Sequence, residues 1–160
     1  MNIGLLRFAE NETSPLLKKS IHKKKKGWKN RIGQRGECLA VQHLFNKGYY
    51  IWHRNWQIKS GEIDIIAIQK RTLAFIEVKT RLTKYASDYD PFDAVDDIKM
   101  KHLQKVAKNF LEIEAPQIKR RRIKSFRFDI IGVTLTPTFH KIWLRKNSVI
   151  HYIDAFQWEE

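Results

Sequence analysis

The sequence predicts an α/β fold, a mixed β-sheet flanked by helices. Three observations carry that expectation. Within residues 61–81 two apolar, β-branched runs flank the polar corner Gln69-Lys70-Arg71-Thr72, the pattern of an antiparallel hairpin. Apolar residues recur at helical spacing before it, over 34–47, and after it, from Asp90 to Pro116. Residues 125–135 alternate between two sides, as a strand does. The order is helix, three strands, helix, then strands. At 160 residues the chain is long enough for one domain with a proper core.

Each element has its own justification. Residues 1–30 hold eight basic residues against two acidic, a surplus of six. The run IHKKKKGWKN shows neither a helical nor a strand period, so 1–30 reads as a flexible basic arm and 31–160 as the domain. The arm suits non-specific phosphate attraction, or it is a solvated tail. From Gln34 to Lys47, Ala40, Val41 and Leu44 form a helical stripe, and Gly48 suits the position just past the helix. Residues 49–57 read as a first strand and 61–81 as the hairpin. After a polar loop, Asp90 is the expected N-cap of a long helix with Pro91 at its first position. Val95, Leu103, Val106 and Phe110 form its stripe, with Lys99 on it. Lys101, Lys105 and Lys108 line a different, exposed face. Residues 117–124 read as a basic connector. In the strand 125–135, Phe126, Phe128 and Ile130 take one side and Arg127, Asp129, Ile131 and Val133 the other. Thr136-Pro137-Thr138 turns the chain, 139–144 reads as a hairpin partner, and 149–153 as a last short segment. The tail from Phe156 to Trp158 is expected to pack on the body.

Composition narrows the function. The net charge is +14, from 31 Lys and Arg against 17 Asp and Glu. Clustered cations gain affinity by releasing counterions from phosphates, so a nucleic acid is the expected partner. The bland alternative is a basic solvated surface. Cys38 is the only cysteine, which excludes an intrachain disulfide and a cysteine-rich zinc site. No apolar run approaches the ~20 residues of a membrane span. The N-terminus lacks a signal-peptide pattern, so the expected location is cytoplasmic, with no membrane partner.

The hairpin carries misplaced acids. With a Lys70-Arg71 loop, cross-strand partners put Asp64 opposite Glu77. Directly opposed residues have Cβ atoms roughly 4.5–5.5 Å apart, and like charges there are destabilising. A divalent cation is the simplest offset. Mg²⁺ (or Mn²⁺) prefers oxygen ligands and keeps several waters, so two carboxylates suffice, with the Val78 carbonyl as a third oxygen. Phosphodiester hydrolysis needs a positioned water, a Lewis acid and charge stabilisation. Lys79, one pleat from Glu77, suits orienting or deprotonating that water. Glu37 lies on the same stripe as Ala40, Val41 and Leu44, where a carboxylate is costly unless paired or bound to a cation. It could complete the metal's outer shell, or pair with an arginine at the core edge.

The segments GQRGECLAVQHLFNKGYYIWHRNW, GEIDIIA, FIEVKTR, AVDDIKMKHLQKVAKNFL and FRFDIIGV resemble the YraN family of uncharacterised, predicted endonucleases over roughly residues 33–135. The resemblance implies a restriction-endonuclease-like core, related to archaeal Holliday-junction resolvases, with a PD-(D/E)xK-type site. It implies an acidic helix residue at Glu37, metal carboxylates at Asp64 and Glu77, and a catalytic lysine at Lys79. It further implies nucleic-acid contacts at Arg81, Lys99 and Arg127, the last on a strand with Asp129. Ile63 stands where the fullest motif has proline, and the basic arm is a departure from the family. The expected function is a metal-dependent nuclease acting on DNA rather than RNA, with branched DNA a candidate substrate. Paired cuts in a junction need a two-fold dimer, so a homodimer is a candidate assembly. The alternatives are a non-catalytic nucleic-acid-binding or scaffold protein on the same fold, and an RNA-associated basic factor.

Overall fold

The computed structural model describes residues 15–82, 96–137 and 144–158. Its elements are α1 (Pro15–Asn46), β1 (Tyr50–Ile58), β2 (Gly61–Gln69), β3 (Thr72–Leu82), α2 (Asp97–Ile113), α3 (Ala115–Arg120), β4 (Ser125–Pro137) and β5 (Leu144–Phe156). The strands form one sheet in the order β1-β2-β3-β4-β5. β3 and β4 are parallel and the other neighbours antiparallel. This follows from the connections: two-residue turns join β1 to β2 and β2 to β3, whereas the parallel pair needs the crossover that α2 and α3 supply. The predicted class, α/β with a mixed sheet flanked by helices, is the one observed, and it agrees with a nuclease-like α/β core.

Strand alternation sends apolar side chains to both faces. Leu39, Ala40 and Leu44 of α1 pack with Ile65, Ala67, Ala74, Ile76, Ile131 and Val133. Leu103, Val106, Ala107 and Phe110 of α2 pack with Ile66, Ile68, Leu73, Phe75 and Phe128 on the other face. Fully burying an aliphatic or aromatic side chain is worth ~1.5–3 kcal/mol, so these two layers hold the helices to the sheet. The tail packs as expected: Phe156 stacks on Phe128 at 4.6 Å between ring centres, and Trp158 lies 4.8 Å from the same ring. No helix among the described residues is long and apolar enough to cross a membrane.

Several boundaries differ from the pattern-based expectation. α1 is helical from Pro15, not from Gln34, so the lysine run is helical. Lysine is a good helix former, and a helix without an apolar stripe leaves no period to read. The expected Asp90-Pro91 helix start and Val95 lie outside the described residues. The described helix is capped by Asp96, whose Oδ1 accepts from Lys99 N at 2.7 Å. The connector 117–124 is corrected in its first half, because α3 runs through Arg120 with Pro116 in its first turn. Asn147-Ser148 is not a break. Thr134 pairs with Ser148 and Leu135 with Lys146, so Asn147 is the extra residue of a bulge within one strand, β5. Residues 139–143 of the expected hairpin partner lie outside the described residues.

Candidate active site

β2 and β3 are paired in the expected register, from Gln69–Thr72 through Ile65–Ile76, and then they part. Below that point β2 continues on β1, with Trp56 opposite Ile63 and Gln57 opposite Glu62. β3 continues on β4, with Glu77 opposite Ile130 and Lys79 opposite Gly132. The sheet therefore forks at Asp64 and Glu77. Inside the fork, Asp64 Oδ2 accepts from the backbone N–H of Val78 at 2.7 Å, in place of a strand partner.

A local half-turn aims the Asp64 side chain across the sheet. Ile63 and Ile65 are both fully buried, yet they join opposite core layers, Ile63 with α2 and Ile65 with α1. Regular alternation would put both on one face. On β1, Arg54 pairs with Ile65 and Trp56 with Ile63, which leaves Asn55 opposite Asp64. Asn55 has φ 52°, a left-handed conformation that asparagine tolerates better than most residues. The two irregular residues face each other, and both strands reset their faces there.

On β3 the alternation is regular. Ala74 and Ile76 face α1, so Glu77 and Lys79 face α2. Glu77 is 5% exposed. Its Oε1 accepts from Lys79 Nζ at 3.0 Å and from Lys99 Nζ of α2 at 3.1 Å. Its Oε2 is buried and has no hydrogen-bond partner. A buried carboxylate oxygen without a partner is costly, and a cation would relieve it. Burial, and then the neighbouring Glu77 carboxylate, push the Asp64 carboxyl up to about 7. The Val78 N–H and Lys99 oppose that shift, and Glu37 adds to it.

Glu37 reaches the fork from the other helix. Gly36 of α1 lies against β3 so closely that a Cβ there would fall 1.7 Å from Thr80 Oγ1. That contact fixes where Glu37 sits. Its Oε2 lies 3.6 Å from Arg54 Nη2, so the arginine pairing weighed from sequence is present. The arginine is 42% exposed, and a half-exposed pair at that distance is weak. Arg81 is exposed and shares the strand parity of Glu77 and Lys79. Lys105 and Lys108 are exposed on α2, as expected.

Arg127 is not gathered with these residues. It pairs with Ala74 of β3 and belongs to the α1 face with Asp129. Its Nε donates to Asp129 Oδ1 at 2.9 Å and its Nη2 to Tyr49 Oη at 2.6 Å. Asp129 is 1% exposed; it also accepts from Asp154 N at 2.9 Å and has His151 Nε2 at 3.0 Å. Pattern reading missed Arg54, the Val78 N–H and this Asp129 network. An acid inside an apolar strand was the visible signal for the last, but its partners come from remote elements.

The fork therefore brings together Asp64, Glu77, Lys79 and Lys99, with Glu37 and Arg54 beside them. Among the described residues no three His, Cys, Asp or Glu side chains form a ready metal cage. Two neighbouring carboxylates, one with an orphaned oxygen and one whose carboxyl burial and that neighbour push up to about 7, fit a hard cation that would offset their mutual repulsion and keep most of its water.

The family model described as "Uncharacterised protein family UPF0102" matches residues 36–133, a span that includes all of these positions. A UPF0102 protein of Chlorobium chlorochromatii (strain CaD3) is 36% identical over 129 residues, covering 81% of this chain and 92% of that protein. One from Caldanaerobacter subterraneus subsp. tengcongensis is 39% identical over 132 residues, covering 82% of this chain and 99% of that protein. One from Paenarthrobacter aurescens (strain TC1) is 42% identical over 106 residues, 66% of this chain and 81% of that protein.

Proposed function

The chain belongs to the uncharacterised family UPF0102, and from the geometry of its forked sheet we propose that it is a metal-dependent nuclease hydrolysing phosphodiester bonds in DNA. The observation that carries this reading is the orphaned, buried Glu77 Oε2 beside an Asp64 that titrates near neutrality. Asp64 and Glu77 would hold Mg²⁺ or Mn²⁺. Such an ion, when bound, supplies a Lewis acid for a phosphoryl oxygen and lowers the pKa of a bound water. The rest falls to the chain's own residues. Lys79 and Lys99 both contact Glu77 Oε1, which keeps two ammonium groups where phosphate charge would develop. Lys79 orients the attacking water, whose proton passes to solvent. Glu37, brought in by the Gly36 contact, positions that water from the α1 side. Arg81, exposed at the end of β3, holds a flanking phosphate. The water oxygen bonds to phosphorus as one P–O ester bond breaks, and the leaving oxygen takes a proton from solvent.

The test is direct. Supercoiled, single-stranded and four-way-junction DNA are incubated with protein in Mg²⁺, Mn²⁺ or EDTA, beside Asp64→Ala and Glu77→Gln. Cleavage by the wild type alone, and only with metal, is the expected result. Equal cleavage by wild type and Asp64→Ala, or none by either, sinks the reading. Preference for the junction over the linear substrates would mark branched DNA as the substrate.

One observation favours a second reading, a non-catalytic nucleic-acid-binding or scaffold protein. Glu77 is already held by two lysines and Asp64 by a backbone N–H, as in a structural ion cluster. Metal binding separates the two. An ion that binds only the folded chain raises stability by RT ln(1 + [L]/Kd), about 2.7 kcal/mol at 100 times Kd. An unchanged melting temperature in millimolar Mg²⁺ and Mn²⁺ favours the scaffold.

A further inference from the structure

Beside the fork lies a pocket of about 420 Å³, where the Lys59-Ser60 turn between β1 and β2 meets the first turns of α2. Gln57, Lys59, Ser60, Glu62, Lys99 and His102 line it. Gly61 also lines it, and a Cβ there would come within 3.3 Å of Val106 Cγ2, so the turn and α2 pack backbone to side chain. The lining is mostly polar, with two ammonium groups and an imidazole against the one carboxylate of Glu62, and Ile58 adds an apolar wall. Ser60 Oγ is buried there without a hydrogen-bond partner. Lys99 belongs to both places, since it lines the pocket and its Nζ reaches Glu77 Oε1.

We propose that this pocket is a phosphate subsite, which seats the nucleotide next to the one that is cut. The proposal rests on the nuclease reading. A cationic, roomy recess with hydroxyl and imidazole donors suits a phosphodiester anion with its sugar. A strand whose phosphate sat between Lys59, Ser60 and His102 would pass Lys99 on its way to Asp64 and Glu77. Lys99 would then divide its charge between the two phosphates and set the spacing between them. Neither the acid motif nor the net charge points to Ser60 or His102, because both lie outside the carboxylate–lysine set.

The experiment measures binding of a fluorescently labelled single-stranded oligonucleotide in Ca²⁺, over a series of salt concentrations, by anisotropy. Wild type, Lys59→Ala, Ser60→Ala and the double variant Lys59→Ala/His102→Ala are compared. Lys59 and His102 are exposed, so the double variant retains the fold; a melting curve checks this. The double variant should bind roughly tenfold more weakly, with its log–log salt slope reduced by about 1. In Mg²⁺, the double variant should raise KM and leave kcat near the wild-type value. Unchanged affinity and slope in the double variant, with a wild type that cleaves, overturn the subsite and leave the nuclease standing. A wild type that neither binds nor cleaves overturns both.

Discussion

Asp64 keeps a carboxyl that titrates near neutrality because it is buried beside a second carboxylate. Its ordinary value of 3.8 applies in the unfolded chain, and about 7 applies in the folded one. Between those values the folded chain holds a proton that the unfolded chain has lost, so folded-state stability falls as pH rises through that window. In metal-free buffer the wild type should lose about 1–2 kcal/mol between pH 5 and 7 relative to Asp64→Asn, allowing for the part of the side chain that stays wet. Asn keeps an oxygen for the Val78 N–H and cannot titrate. Denaturant titrations of both proteins at several pH values give the difference directly. A stability gap that stays constant with pH would remove the buried-acid account. Millimolar Mg²⁺ should flatten the difference, because a cation favours the ionised carboxylate. Gly36 is constrained by close packing rather than by charge. Alanine in place of a helical glycine is normally favourable by roughly 1 kcal/mol. Here the added Cβ meets Thr80 Oγ1, and overpacking of that kind costs about 1–3 kcal/mol. Gly36→Ala should therefore lower the melting temperature, while Gly33→Ala, with nothing within 4 Å of its Cβ, should hold or raise it. Thr80→Ala should restore part of the Gly36→Ala loss. Equal behaviour of the two glycines would deny that α1 rests on β3 at this point.

At the scale of elements, the fork depends on how β4 is anchored, since β3 leans on β4 alone once it has left β2. Asp129 supplies that anchor. It sits on β4, ties Arg127 of the same strand to Tyr49 after α1, and reaches His151 and Asp154 N on β5. The β5 bulge opposite it, with Asp154 at φ 57°, turns a backbone N–H toward the carboxylate. Removing one member of a buried ion pair leaves the other uncompensated, at about 3–5 kcal/mol. Asp129→Ala should cost that much in urea denaturation. Arg127→Met should cost a similar amount and leave the salt slope of oligonucleotide binding unchanged. A reduced slope with intact stability would instead place Arg127 among the phosphate contacts that the family resemblance implies.

At the scale of the whole molecule, what could be read in advance follows from what was periodic. The hairpin register was legible because the corner at Lys70-Arg71 admits a two-residue loop, and with it came the meeting of Asp64 and Glu77. The two core layers were legible in the stripes of Leu44 and Phe110 and in the alternation of Phe128 and Ile131. The half-turn at Asp64 was not, because Ile63 and Ile65 are identical in type and strand parity puts them together. Arg54 and His151 could not be found as partners, since each pairs across elements far apart in sequence. The helical lysine run was hidden for another reason: it has propensity without periodicity. The chain divides into two compact units, residues 1–31 and 32–160, and both described core layers draw on the second. Residues 1–30 carry a charge surplus of six out of the total of +14. Deleting them should leave a folded protein with the same metal-dependent cleavage products, because Glu37, Asp64, Glu77 and Lys79 all remain. What should change is affinity. Every phosphate of a single strand that the protein ceases to neutralise takes ~0.7 from the slope of log K against log salt, so engagement of even two or three lysines predicts a slope reduced by about 1.5–2. Full-length and truncated protein, titrated with the same oligonucleotide over a range of salt, give that number. An unchanged slope would make the basic segment a solvated tail, and it would leave phosphate attraction entirely to the cations of the domain that carries the fork.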